Sequence, residues 1–118
     1  MMIPAVSSAS EKVRFPGIQP VTESGAPAKI DQQDQLLEVE TIEGDATGEI
    51  ENYNEETGSF DVVLRPGTAG TASLLRLKAD ADNDAGETRE ITLDFNYTVK
   101  ADDAFSFTMP EPVIEPNA

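Results

Sequence analysis

Residues 57–99 read TGSFDVVLRPGTAGTASLLRLKADADNDAGETREITLDFNYTV, and their patterning decides the fold. Within this stretch Ile91, Leu93, Phe95, Tyr97 and Val99 alternate with Thr92, Asp94, Asn96 and Thr98. Successive side chains of a strand point to opposite faces, so a period of two gathers the apolar residues on one face. Phe60, Val62 and Leu64 form an earlier run of the same kind, halted by Arg65-Pro66-Gly67, and Leu75, Leu77 and Ala79 form another. Pro at the second and Gly at the third position of a four-residue turn predict type II geometry there. Six or seven such runs separated by turn residues predict an all-β, antiparallel β-sandwich and not an alternation of strands and helices.

Upstream of this stretch the signals weaken. Leu36, Leu37, Val39 and Ile42 fit one face of a helix or a pair of strands; the β-branched Val39, Thr41 and Ile42, closed by Gly44, favour strand. A short strand is expected around Ile50 and Tyr53, ending in a turn from Asn54 to Gly58. Residues 1–28 carry Pro4, Pro16, Pro20 and Pro27, too close together for a helix. Val13 and Phe15 suit a short strand, and the rest of this segment reads as an extended arm. The ending, PEPVIEPNA, reads as an extended tail. The expected organisation is therefore an arm over 1–28, a sandwich over 29–109 and a tail over 110–118.

Val, Ile, Leu and Phe number 27 of 118 residues, enough for one modest core. The chain has no cysteine, which excludes disulfides and thiolate metal sites, and no histidine, the commonest general base. Eight basic residues against 23 acidic ones give a net charge of −15. A surface of that sign repels nucleic acid and anionic lipid, so neither is an expected partner. The opening MMIPAVSSASEKVRF lacks the basic and apolar regions of a secretory signal, which leads us to expect synthesis and use without conventional secretion.

Candidate chemistry is sparse. Asp80, Asp82 and Asp84 form a D-x-D-x-D run that invites a calcium reading, because hard cations take several oxygens from a tight loop. The calcium-loop template wants Gly at its sixth position and Glu at its twelfth, where this chain has Ala85 and Ile91. A solvated hairpin loop is the simpler expectation, with no metal and no cofactor. Glu49, Glu51, Glu55 and Glu56 form an acidic cluster that reads as a solvated face. Serines and threonines lack an activating base, so no catalytic residue is assigned and no enzyme is expected. Gly67 and Gly70 lead into a strand and not into the helix that a phosphate-binding loop needs. Phe105 and Phe107 either complete the last strand or form an exposed patch; completion of the core is the favoured alternative.

The stretch SFDVVLRPGTAGTASLLRLKADADNDAGETREITLDFNYTVKADDA resembles the second half of bacterial and phage immunoglobulin-like (Big-type) domains. The matching pieces are Arg65 to Gly67, Gly70 to Ala72, Ala79 to Asp82 and Ile91 to Val99. Single, acidic, cysteine-free versions resemble small virion proteins of tailed phages. The resemblance implies an immunoglobulin-like sandwich and a non-enzymatic capsid decoration or cement protein on the outer surface of a phage head. Its implied partner is a protein lattice such as the major capsid protein, with self-association as a further expectation. The alternative it leaves open is an adhesion module of a bacterial surface protein that binds carbohydrate or protein, with calcium. For lattice binding, Ile3, Val6, Val13, Phe15 and Ile18 of the arm are the candidate anchors.

Overall fold

The two longest alternating runs form the two longest strands. In the computed structural model, which describes residues 2–22, 24–30, 36–82, 88–101 and 107–117, β7 (Ala72–Asp82) pairs antiparallel along its full length with Thr88–Thr98 of β8 (Thr88–Lys100). Leu75 lies opposite Phe95, Leu77 opposite Leu93 and Ser73 opposite Tyr97. On its other side β7 takes β3 (Lys29–Ile30) and β4 (Leu37–Glu43), both antiparallel. A second sheet holds β2 (Val13–Ile18), β6 (Phe60–Arg65) and β5 (Thr47–Glu51), in the order β2-β6-β5. No helix occurs among the described residues, and the protein is all-β.

The two sheets share one core. Phe60, Val62 and Leu64 of the smaller sheet and Leu75, Leu77, Phe95, Tyr97 and Val99 of the larger are buried in a single cluster. The Phe15 and Phe95 rings, one from each sheet, meet at a centroid distance of 5.1 Å and a tilt of 43°, within the range where aromatic pairs attract beyond their area burial. Between β1 (Met2–Ser8) and β8, the buried Ser7 and Tyr97 hydroxyls share a hydrogen bond of 2.5 Å. That bond satisfies the phenol at a place where an unpaired one would cost stability. The pairings β2-β6-β5 and β4-β7-β8 correspond to the B-E-D and C-F-G ladders of an immunoglobulin-type Greek key.

Four expectations need correction. Residues 1–28 are not a free arm: β1 and β2 are strands of the two sheets, and the sandwich runs from Met2 to Lys100. The prolines are accommodated where sheets tolerate them, Pro4 in an edge strand and Pro16 at the irregularity between Phe15 and Ile18, beside Gly17 with φ +69°. The sandwich is not wholly antiparallel, because β1 pairs parallel with β8, Met2 opposite Asp94 through Ser8 opposite Lys100. First and last strands can pair this way because all the intervening chain supplies the crossover that parallel pairing needs.

The expected type II turn does not form at Pro66-Gly67: the Thr71 N–H donates to the Thr68 carbonyl at 3.3 Å, and positive φ falls at Gly70 (+83°) and not at Gly67. Gly67 is instead required by close approach: a Cβ there would lie 2.0 Å from Asp45 Oδ1. That carboxylate accepts from the Thr68 N–H at 3.1 Å and from the Thr68 hydroxyl. Finally, Asp80 and Asp82 are strand residues of β7, opposite Glu90 and Thr88, and not members of a loop. Asp84, Phe105 and the rest of 83–87 and 102–106 lie outside the described residues.

Candidate functional site

The outer face of the larger sheet carries a charged ladder and, beside it, a small uncharged patch, and cross-strand register creates the division. In the ladder, Arg76 of β7 donates to Asp94 of β8 at 2.8 and 3.2 Å, and Lys78 pairs with Glu40 of β4. The Arg76 guanidinium holds the Asp94 carboxyl below the usual carboxylate range. Glu38 and Glu90 flank this ladder. Beyond Asp94 the register brings Pro4, Asn96 and Leu74 into one row, ended by Glu43 of β4, and Val6, Thr98 and Ala72 into the next, bordered by Lys100 of β8. The side chains of Pro4, Val6, Ala72, Leu74, Asn96 and Thr98 carry no charge, in a chain whose net charge is −15. Val6 is 56% exposed.

The outer face of the smaller sheet uses its basic residues internally. Arg14 donates to Glu51 at 2.7 Å and to Asp61 at 2.8 Å, and Arg65 donates to Glu49 at 2.6 Å. Asn52 and the Gly17 N–H also donate to Asp61, and together with Arg14 they depress its carboxyl. Glu51 is likewise depressed, chiefly by Arg14, the reverse of the shift that a general acid needs at neutral pH. Glu55 and Glu56 line an open polar hollow over Asn52–Glu56, where the buried Tyr53 hydroxyl has no partner among the described residues.

The five candidate anchors separate on inspection. Ile3, Val13, Phe15 and Ile18 are partly buried and pack against the core. They serve the sandwich as ordinary strand residues. Val6 alone among them faces outward, within the uncharged patch. Phe107 does not complete the core: it is 91% exposed, as are most of the large apolar side chains of 107–117. For the acidic run, the described residues show no cluster of three or more metal-ligating side chains, and side-chain placement at Asp82 and Asp84 lies outside what is described.

Sequence reading missed the uncharged patch because its six residues are spread over the outward sides of three strands, two on each. A second missed feature is an apolar groove of about 190 Å³ between the sheets. Its walls include Ile18 and Val21 on one side and Ile91 and Leu93 on the other. Ile91 belongs to the inward face by parity yet is 36% exposed, because the six-residue β6 cannot cover the thirteen-residue β8. A scan against protein-family models finds no match, and no curated protein is significantly similar to the chain.

Proposed function

We propose that the protein is a non-enzymatic virion structural protein, a decoration or cement protein that sits on the outer surface of a phage head. The observation that carries this reading is the uncharged patch of Pro4, Val6, Ala72, Leu74, Asn96 and Thr98, bordered by Glu43 and Lys100, on a strongly acidic body. Net negative charge keeps the free protein dispersed and opposes non-specific adsorption. A patch without charge is where a partner can approach without desolvating carboxylates. The resemblance of residues 59–104 to phage immunoglobulin-like domains supports a capsid lattice as that partner. The strand order is consistent with the immunoglobulin-like half of that resemblance, since β2-β6-β5 and β4-β7-β8 pair as the two sheets of such sandwiches do.

Co-sedimentation with capsids that lack the protein tests the reading. Saturable binding is expected, and Val6→Asp, at an exposed position in the patch, should abolish it while leaving the melting temperature unchanged. Truncation at Ala28 is unsuitable, because it deletes two strands. Absence of capsid binding by the intact chain would remove the proposal.

A further inference from the structure

Among the described residues, the first six of β8 have a neighbour on one side only. β1 enters its lane at Met2, opposite Asp94, so Thr88–Leu93 pair with β7 but with no described residue on the β1 side. This leaves about 20 Å of open strand edge. The apolar groove lies directly beneath it, with Ile91 and Leu93 from the open segment and Ile18, Val21 and Phe60 from the opposite wall. Val21 is 55% exposed. An unpaired edge above an apolar slot is the arrangement that accepts an added strand, with backbone hydrogen bonds giving affinity and alternate side chains filling the slot.

The chain itself contains a segment of matching form. Residues 107–117, FTMPEPVIEPN, form no strand, and Phe107, Met109, Val113 and Ile114 are all more than four-fifths exposed. In an extended chain, alternate N–H groups point to the same side. Pro110, Pro112 and Pro116 all fall on the even side, so every missing donor faces away from a neighbour met by the odd residues. Phe107, Thr108, Met109, Pro110, Glu111 and Pro112 match the six-residue edge in length. Phe107 and Met109 then share the face that meets the groove.

We propose that the C-terminal segment of one copy adds as a strand beside Thr88–Leu93 of a second copy, with Phe107 and Met109 seated in the groove between the sheets. The donor segment follows the end of β8 and the acceptor edge lies at its start, so the contact is head-to-tail and propagates into chains of copies. It does not depend on the capsid-binding reading. Because each copy carries a charge of −15, association strengthens as salt screens the repulsion.

Sedimentation of the intact chain from micromolar to millimolar concentration, at low and high salt, provides the test. The expected result is concentration-dependent growth beyond a dimer, weakened roughly tenfold or more by F107D/M109D. Those two side chains are exposed in the isolated chain, so the variant keeps its fold. Ile91→Asp should weaken growth from the acceptor side. A mixture of the two variants should form a one-to-one pair and stop there, each supplying what the other lacks. Amide exchange gives a second reading that does not depend on the Ile91 variant: protection of Thr88–Leu93 should rise with concentration in the intact chain and stay low in F107D/M109D. A monomer throughout, growth unaffected by F107D/M109D, or protection independent of concentration would each overturn the proposal, the last by showing that a chain binds its own tail. Val6→Asp should leave self-association intact, so failure of capsid binding and failure of strand addition are separately visible.

Discussion

The first 18 residues and the last dozen are alike in composition, both Pro-bearing with scattered apolar residues, yet only the first set folds into the body. The difference lies in what the alternate positions carry. In β1, Ala5 and Ser7 are small enough to sit beneath the sheet while Pro4 and Val6 face out, and Ser7 reaches the Tyr97 hydroxyl. In β2, Val13 and Phe15 point inward, Arg14 pairs outward with Glu51 and Asp61, and Pro16-Gly17 falls at the irregularity. In the C-terminal segment Phe107, Met109, Val113 and Ile114 stay exposed, and none of the described residues 107–117 pairs with a strand. Proline content therefore does not separate arm from strand; the match between side-chain parity and an available sheet edge does.

The harshest way to break this comparison is to delete each end in turn. Starting the chain at Ala28 removes β1 and β2, and the cooperative thermal transition should vanish; ending it after Ala101 should leave the melting temperature of dilute protein nearly unchanged. A folded protein lacking residues 1–27 would show that the N-terminal strands are appended and not integral. Phe95→Ala comes next. It empties the contact with Phe15 and should cost about 3–5 kcal/mol in urea unfolding, whereas Phe107→Ala should cost almost nothing. A neutral Phe95→Ala would mean the inward face had been assigned one residue out of step.

Tyr97→Phe sharpens the comparison at the β1–β8 seam. It removes one buried hydrogen bond but leaves the Ser7 hydroxyl with the Ser8 and Glu11 carbonyls as acceptors. The expected loss is about 1 kcal/mol, and a loss as large as that of Phe95→Ala would point to a repacked seam. Acid should act more weakly still. Asp94, Asp61, Glu51 and Asp45 are all held below their ordinary values in the folded chain. A depressed carboxyl contributes stability that is complete above its unfolded value and is lost as pH falls through its folded one. Melting temperature should therefore hold from neutrality to about pH 4 and decline below it; a maximum below that range would contradict the assignment. Calcium should have the smallest effect, none. A melting shift on adding millimolar calcium, reversed by chelator and absent in D82N/D84N, would instead restore the metal reading of the acidic run.

Much of the sandwich could be read directly. Strict alternation from Ile91 to Val99 identifies a strand and its buried face without reference to anything distant, because a two-residue period has one structural meaning. Phe60 to Leu64 and Leu75 to Ala79 are legible for the same reason. Pro66-Gly67 marks the end of β6 but not the turn, which closes at Thr68–Thr71; the need for glycine at 67 comes from Asp45, more than twenty residues away. Residues 1–28 resemble an arm because Ala5 and Ser7 give little hydrophobic signal; their burial depends on Tyr97 across the pairing.

Local side-chain periodicity and turn chemistry, then, determined by sequence alone that this chain is an all-β protein with one small core and an acidic surface. Which lane each strand occupies was decided only in three dimensions. That pairing places six uncharged residues from three strands side by side, runs β1 parallel to β8, and stops it at Asp94 so that Thr88–Leu93 stay open above the groove. Those features depend on register and on unequal strand lengths, which are set by the packing of one sheet against the other and leave no mark on any single stretch of residues.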